Sequence, residues 1–146
     1  KGTALTDGLA TAITTSGNRS LSLVDDATSL SGTTASGEFN IYGNGHNLSG
    51  SGLTVSEGTK LNIQDVQGID NFTSSTAITN KGVIENISNS NFNNNNISIQ
   101  NDNNVKIIDN AQFVSNTNAI LNNNTIGRIS NSIFKDNTSS KDTSKA

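Results

Sequence analysis

The second half of this sequence repeats with a fixed period of 21, the spacing from Ile78 to Ile99. Shifting the segment that begins at Ile78 forward by one period, and then by one more, places apolar residues in common columns. These columns are Ile78, Ile99 and Ile120; Ile84, Val105 and Ile126; Ile87, Ile108 and Ile129; and Phe92, Phe113 and Phe134. Random placement would align the three phenylalanines less than about one time in a thousand. The chain therefore repeats one structural unit with a fixed interior.

Asparagine also recurs at this period. Its columns are Asn80, Asn101 and Asn122; Asn89, Asn110 and Asn131; and Asn95, Asn116 and Asn137. Asparagine makes up roughly a third of the span, so roughly one such column would arise by chance. The asparagine columns therefore support the period less strongly than the apolar ones.

The repeat becomes irregular toward the N-terminus. Ile63 and Val66 lie one period before Ile84 and Ile87. Phe72 comes one residue too late for the phenylalanine column, which predicts a one-residue insertion.

Two further copies precede that point. The segment that starts at Phe39 aligns with the one that starts at Leu61 at a spacing of 22, which also pairs Ile41 with Ile63. The segment LSLVDD, from Leu21, is an earlier and irregular copy.

A unit of this length is too short for a paired-helix repeat, and its residues disfavour helix. Asn, Ser, Thr and Gly are poor helix formers, whereas the β-branched residues that fill the apolar columns favour strands. Each unit contains three short apolar segments separated by Asn or Gly, and the chain has no Pro that would interrupt a strand ladder. The sequence thus predicts an all-β fold, a right-handed parallel β-helix of about six coils that stack to bury a common interior. The rival interpretation is a disordered asparagine tract, but a net charge of −3 is low for a disordered chain.

Tight corners explain the asparagines, because Asn tolerates the left-handed conformation better than other non-glycine residues. We predict that Asn89, Asn110 and Asn131 form corners and that their side chains bond to a neighbouring Asn or to backbone one coil away. The column Gly82, Asn103 and Asn124 also suggests positive φ. Other asparagines, such as Asn93, Asn94 and Asn96, are expected to face water.

The two ends differ in character. Leu5, Leu9 and Ile13 are spaced by four residues, which predicts a capping helix after Thr6 or Asp7 as N-cap. We therefore assign residues 1–20 to an N-terminal cap, 21–137 to the coils and 138–146 to a polar tail. Disorder is expected only from Lys135 to Ala146. Since no C-terminal cap is evident, the chain is expected to be a fragment of a longer rod or to meet another copy at its open end.

The segments FNNN, FVSN and FKDN (Phe92–Asn95, Phe113–Asn116, Phe134–Asn137) resemble the Phe-x-x-Asn motif of polymorphic outer-membrane proteins, which are bacterial autotransporters. That family's Gly-Gly-Ala-Ile motif corresponds here to TAI at Thr76 and NAI at Asn118, without the paired glycines. The segment IYGNGHNLSG is similar to the opening coils of autotransporter passengers in the pectin-lyase-like superfamily. The resemblance implies a secreted or surface-exposed passenger, often an adhesin.

Catalytic and metal-binding signatures are sparse. The only two arginines, Arg19 and Arg128, lie about five coils apart and cannot share a site. Asp25 and Asp26 are adjacent, so on a strand they would point to opposite faces, and a solvated turn is favoured over metal ligands. His46 is the only histidine and there is no cysteine, which excludes multi-His zinc sites and thiolate sites, and a structural or solvated role is favoured for His46. A calcium site at Asp65 and Asp70 has no further ligand to support it. We accordingly predict no catalytic residue, no metal and no cofactor.

The leading functional hypothesis is a non-enzymatic interaction rod, the N-terminal part of a bacterial surface adhesin or autotransporter passenger. Its expected partner is a host cell-surface protein or glycan, bound through outward turns such as 93–96 and 115–118. The balance of charge provides no basic patch for nucleic acid, and no apolar run predicts direct membrane insertion. Two alternatives remain open, a fragment of a β-helical polysaccharide lyase or hydrolase and a fragment of a tailspike. An ice-binding β-helix would need two adjacent threonine columns, and the sequence has one that is interrupted.

Overall fold

The computed structural model describes residues 2–138, with side chains from residue 8 onward. One helix is followed by fourteen strands, and all strand pairs are parallel. The elements are α1 (Gly2–Thr14), β1 (Arg19–Ser22), β2 (Ser31–Thr33), β3 (Gly37–Tyr42), β4 (Asn47–Leu48), β5 (Gly52–Val55), β6 (Thr59–Gln64), β7 (Gly68–Asp70), β8 (Thr76–Asn80), β9 (Val83–Asn93), β10 (Ile97–Asn101), β11 (Asn104–Val114), β12 (Asn118–Asn122), β13 (Thr125–Ser130) and β14 (Ile133–Lys135). The chain is an all-β parallel solenoid of about six turns with an N-terminal helix, which confirms the predicted fold class. No helix within residues 2–138 is long and apolar enough to cross a membrane.

Each coil contributes to three faces of the solenoid. The first face stacks β1, β3, β6, the first part of β9, the first part of β11 and β13, in that order. The second face stacks β4, β7, the second parts of β9 and β11, and β14. The third face stacks β2, β5, β8, β10 and β12. Three strands per coil, joined by three corners, therefore enclose one interior.

The columns of constant period are confirmed by the strand register. Val105 pairs with Ile84 and Ile126, and Ile99 pairs with Ile78 and Ile120. The longer spacing in the first half is also confirmed. Phe39 pairs with Leu61, and Ile41 pairs with Ile63 and, on its other side, with Leu21. Because the backbone pairing is parallel and in register, equivalent side chains lie directly above one another.

The predicted register between the two halves is wrong. Ile84 pairs with Leu61 and Ile87 pairs with Ile63, so Val66 is not one period before Ile87. The register shifts beside Leu61, where Glu85 is the extra residue of a β-bulge. A bulge changes the spacing without changing which side chains point inward, and a search at constant period therefore misaligns the strands.

Phe72 does not continue the phenylalanine column. Ile69 does, since it pairs with Phe92 on one side and with Leu48 on the other. Phe72 lies in a longer corner between β7 and β8, where its ring is also buried. The inserted residues therefore lie after Ile69, which occupies the phenylalanine column, and not before it.

Helix α1 closes the N-terminal end of the interior. Leu9 and Ile13 are fully buried there. The helix begins at Gly2, so Thr6 and Asp7 lie within it and the predicted N-cap is wrong. Arg19 holds the helix C-terminus, because its guanidinium donates to the carbonyls of Ala12 at 2.6 Å and of Ile13 at 3.2 Å. A cation at this end also complements the helix dipole.

The last described residues are more ordered than the sequence suggested. Lys135 ends β14 and pairs with Val114 of β11. The amide of Thr138 donates to the carbonyl of Asn116 at 3.0 Å. The predicted disorder from Lys135 onward is therefore wrong as far as Thr138, because these residues continue the coil register. Residues 139–146, which hold the rest of the predicted tail, lie outside the described residues.

Three phenylalanine rings form a stack in the interior. Centroids of Phe92 and Phe113 are 4.8 Å apart with an interplanar angle of 4°, and those of Phe113 and Phe134 are 4.8 Å apart with an angle of 2°. Phe92 and Phe113 are fully buried, whereas Phe134 is partly buried. The ring spacing equals the separation of neighbouring strands, so backbone pairing sets the geometry of the stack.

We predict that Phe113→Ala lowers the free energy of unfolding by about 3–5 kcal/mol, because it removes a fully buried ring and its stacking contacts with Phe92 and Phe134. Urea denaturation measures this loss. Val24→Ala is the control, because Val24 is 76% exposed and its truncation should cost less than about 0.5 kcal/mol. Equal losses in the two variants would contradict the interior position of Phe113.

Candidate functional site

The Asn of the Phe-x-x-Asn motif links neighbouring coils through hydrogen bonds, and it is buried in the first two motifs and partly buried in the third. Asn95 Oδ1 accepts a hydrogen bond from the amide of Phe72 at 2.9 Å, and its Nδ2 donates to the carbonyl of Ile69 at 2.9 Å. Asn116 repeats this arrangement one coil later, accepting from the Asn95 amide at 2.9 Å and donating to the Phe92 carbonyl at 3.1 Å. Both asparagines are at most 2% exposed. The amides of Asn95 and Asn116 therefore satisfy backbone groups of the corner.

A single left-handed residue makes the corner between the first and second faces. Asn89, Asn110 and Asn131 have φ of 49°, 52° and 51°, and Asn44 and Asp65 hold the same conformation in earlier coils. Asn110 Nδ2 donates to Asn89 Oδ1 at 2.5 Å, and Asn89 Nδ2 donates to Asp65 Oδ1 at 3.2 Å. The predicted ladder thus runs along the corner.

Asn131 departs from this ladder in one respect. Its Nδ2 donates to Asp109 Oδ1 at 2.9 Å and not to Asn110. Ser130 Oγ donates to the same carboxylate oxygen at 2.9 Å. The bond links one coil to the preceding one, as predicted, but the predicted asparagine or backbone partner is wrong here, because the acceptor is a carboxylate, as it also is for Asn89.

A second left-handed column lies at the corner after the second face. It consists of Asn71, Asn94, Ser115 and Asp136, with φ of 68°, 58°, 59° and 57°. Sequence analysis missed it because the column holds three residue types, and it placed Asn94 among asparagines that merely face water. Asn94 is exposed, but its backbone needs a residue that tolerates positive φ.

Asn93 also has a structural role that the sequence did not reveal. Its amide and its Nδ2 donate to Asp70 Oδ1 at 3.0 Å and 3.1 Å. Asn96, the third asparagine expected to face water, is half-buried, and its carbonyl accepts from the amide of Asn118 at 2.8 Å.

The column Gly82, Asn103 and Asn124 does not have the predicted positive φ. The asparagine column two residues earlier, Asn80, Asn101 and Asn122, forms the hydrogen bonds of this corner. Asn80 Oδ1 accepts from the Gly82 amide at 3.2 Å, and Asn101 and Asn122 accept in the same way from the amides two residues after them. Asn80 Nδ2 also donates to Asn101 Oδ1 at 2.9 Å. Gly82 is required for space, because a Cβ there would lie 2.1 Å from the Ser56 carbonyl oxygen.

An outward recess of about 260 Å³ forms a groove at the corner between the second and third faces. We call it the corner groove and define it by Thr73, Asn94, Asn95, Asn96, Ser115 and Thr117. These residues come from three successive coils, and none of them is ionisable. Asn95 forms a buried floor, while Thr73, Asn94, Ser115 and Thr117 are exposed. The groove overlaps the outward turns 93–96 and 115–118 that the sequence analysis selected.

A second recess, of about 510 Å³, lies on the outer side of the first face. It is lined by Asn86, Ile107, Asp109, Arg128, Ser130 and Asn131. Hydrogen bonds from Asn131 and Ser130, together with the positive charge of Arg128, lower the pKa of Asp109. A cation and an anion side by side largely cancel, so this recess has no strong preference for a charged ligand.

Asp25, Asp26 and His46 are the only group of three potential metal ligands within the described part of the chain. The two aspartates are exposed and lie after β1, outside any strand, which confirms the favoured interpretation of a solvated turn. Both have other hydrogen bonds: Asp25 Oδ1 accepts from the Asp26 amide at 2.8 Å, and Asp26 Oδ1 accepts from the Asn47 amide at 2.9 Å. His46 Nδ1 lies 3.6 Å from Asp26 Oδ1. The cluster therefore has a structural explanation as a corner.

The remaining predicted acidic pair is not brought together into a shared site. Asp65 accepts from Asn89, and Asp70 accepts from Asn93, each from the following coil. Burial raises the pKa of Asp70, and the two hydrogen bonds from Asn93 oppose that shift. These carboxylates serve as acceptors in corners.

The chain matches no protein-family model, no curated protein and no solved structure.

We predict that Asn94→Ala lowers the free energy of unfolding by about 1–2 kcal/mol, because alanine is strained at positive φ. Asn94→Gly removes the same amide but accepts this conformation, so it should cost less than about 0.5 kcal/mol. Urea melts compare the two variants. Equal losses would show that the amide matters and the backbone conformation does not.

Asn110→Ala should lower the free energy of unfolding by about 1–3 kcal/mol, because it strains a left-handed position and also breaks the hydrogen bond to Asn89. The same urea melts measure this loss.

The titration of Asp70 gives a second prediction. Its raised pKa means that the folded chain binds this proton more tightly than the unfolded chain, whose aspartate has the ordinary value of 3.8. The contribution of Asp70 to the free energy of unfolding is therefore greatest below the ordinary pKa and decreases as the pH rises through the raised pKa. Relative to the wild type, Asp70→Asn should be more stable at pH 7 than at pH 3, measured by urea unfolding at both values.

Asp109→Asn is the matched control for this pH dependence. The lowered pKa of Asp109 contributes stability that is present above the ordinary pKa and lost as pH falls through the lowered one. Its substitution should therefore be more harmful at pH 7 than at pH 3. The same sign of pH dependence in both variants would contradict the assignment.

Proposed function

We propose that this chain is a non-enzymatic, extracellular interaction rod, the N-terminal part of a bacterial surface adhesin or autotransporter passenger. It binds a protein or glycan on a host or neighbouring cell. The corner groove is the observation that carries the proposal. It is the place where the repeat presents exposed, neutral hydrogen-bonding side chains on three consecutive coils.

The division between inside and outside supports this proposal. Phenylalanines and asparagines of the repeated motif are committed to the interior, where they satisfy packing and backbone hydrogen bonds. Thr73 and Thr117, by contrast, are exposed at the corner and lie outside that interior. Exposed side chains of this kind, held on a rigid scaffold, are available for recognition.

The chemistry of the groove indicates the kind of partner. Amides and hydroxyls both donate and accept hydrogen bonds, and the absence of ionisable side chains from the lining favours an uncharged ligand surface. Equivalent groove positions on neighbouring coils carry an amide or a hydroxyl, as Asn94 and Ser115 do, and the coils are stacked at 4.8 Å, the spacing of the Phe92 and Phe113 rings. A polymeric partner with regularly spaced hydroxyl or amide groups fits such an array.

The enzymatic alternative has less support. A lyase site would combine carboxylates with a nearby arginine, but Arg19 donates to helix carbonyls and stacks 4.8 Å from the centroid of Phe39. Arg128 lies at the other end of the first face, five strand positions from β1. Neither arginine belongs to the Asp25, Asp26 and His46 cluster.

Binding of the fluorescently labelled, folded chain to epithelial cells and to a glycan array tests the proposal. We expect measurable binding, weakened at least about tenfold by Thr117→Gln, whose longer side chain fills the groove. Thr33→Gln is the matched control, because Thr33 is an exposed threonine on the third face, outside the groove. A folded chain that binds neither surface would overturn the function, and equal losses in both variants would overturn the site.

A further inference from the structure

The recess on the outer side of the first face contains two opposite charges that do not touch. We call it the first-face recess, and its lining comprises Asn86, Ile107, Asp109, Arg128, Ser130 and Asn131. Asp109 and Arg128 do not form one of the ion pairs found among the described residues. Because their charges sum to zero, the recess does not select a simple anion or cation. It offers instead a separate partner for each charge of a zwitterion.

The strand register keeps the two charges apart. Arg128 on β13 pairs with Ile107 on β11, and Asp109 on β11 pairs with Ser130 on β13. Asp109 and Arg128 therefore occupy diagonal positions on neighbouring strands, with their backbones about 8 Å apart, as the strand spacing and the rise per residue require. The half-buried side chain of Ile107 completes this arrangement with an apolar surface directly beside Arg128.

Both charged groups can still form hydrogen bonds with a ligand. Asn131 Nδ2 and Ser130 Oγ each donate to Asp109 Oδ1 at 2.9 Å, so neither of them occupies Oδ2. These two bonds also hold the carboxylate in one orientation. The guanidinium of Arg128 makes no hydrogen bond to another described residue. Its planar N–H groups can therefore bind a carboxylate in bidentate geometry.

We propose that the first-face recess binds a free α-amino acid with an apolar side chain. Arg128 binds the α-carboxylate, Asp109 accepts hydrogen bonds from the α-ammonium, and Ile107 contacts the apolar side chain. The volume of about 510 Å³ lies within the range of small-molecule sites. This site lies on a different part of the solenoid from the corner groove, and it does not depend on the proposed adhesion.

The chemistry of the recess favours this ligand over other zwitterions. A quaternary ammonium cannot donate a hydrogen bond to Asp109, and sites for such groups use aromatic rings, which the lining lacks. A ligand with a single charge leaves either Asp109 or Arg128 without a partner. An α-amino acid carries its ammonium and carboxylate on one carbon, so a small molecule can reach both side chains at once.

Titration of the isotope-labelled chain with L-leucine, followed by its amide NMR signals, tests this proposal. We expect saturable binding with a Kd of about 1 mM, because the recess is open to water. Leucinamide lacks the carboxylate and N-acetylleucine lacks the ammonium, so each should bind at least about tenfold more weakly than L-leucine. Equal affinity for the three ligands, or no saturable binding of L-leucine, would contradict the proposal. Tighter binding of O-phosphorylethanolamine would assign the recess to a phosphate-containing headgroup and would also contradict it.

Two substitutions assign the charges to individual side chains. Arg128→Gln should abolish the preference for L-leucine over leucinamide, and Asp109→Asn should abolish the preference over N-acetylleucine. Lys60→Gln is the matched control, because Lys60 is an exposed cation on β6 of the same face, outside the recess. It should leave both preferences intact. Each readout is a ratio of two affinities for one variant, so a loss of folded protein does not imitate it. Unchanged preferences in Arg128→Gln and Asp109→Asn, or their loss in Lys60→Gln, would overturn the site.

Discussion

Parallel backbone pairing at one fixed spacing constrains every other feature of this solenoid. Once a coil is bonded to the next, each inward side chain must lie above its equivalent, and the two must be compatible at 4.8 Å, the separation seen for the Phe92 and Phe113 rings. Flat rings, β-branched chains and amides meet this condition. Rings stack face to face with an offset set by the strands, isoleucines pack methyl against methyl, and amides donate to and accept from groups of the adjacent coils. The repeat in the sequence is the consequence of this vertical compatibility.

Buried asparagines are costly unless every polar atom has a partner, and the coils provide those partners. Asn101 illustrates the arrangement: its Nδ2 donates to Asn122 Oδ1 and to the Thr125 carbonyl, while its Oδ1 accepts from the Asn103 amide. Within the described side chains, just two buried polar atoms, Ser29 Oγ and Asn118 Oδ1, have no hydrogen-bond partner. An asparagine-rich composition is therefore compatible with order here, because each amide replaces a backbone partner that a corner removes.

Those columns with a constant period could be predicted from sequence, whereas the corners that vary in length could not. Ile78, Ile99 and Ile120 align by counting, but Ile69 takes the place expected for Phe72 because residues are inserted in the corner that follows β7. The left-handed column of Asn71, Asn94, Ser115 and Asp136 was hidden for a different reason. Several small polar residues tolerate positive φ to a degree, so a conformational requirement need not leave one repeated letter. The sequence could locate the corner groove only approximately, because the exposure of Thr73 and Thr117 depends on the inserted residues after β7 and on the left-handed residues of this corner.

Each coil of this solenoid contacts only its neighbours, so a residue is held in place by the coils on either side of its own. The corner groove illustrates this support. Ser115 donates its amide to the Lys135 carbonyl, and Thr138 donates to the Asn116 carbonyl, so the coil that carries Ser115 and Thr117 has a further layer above it. That layer holds the groove residues in place before a partner arrives, which reduces the ordering entropy that binding would otherwise cost.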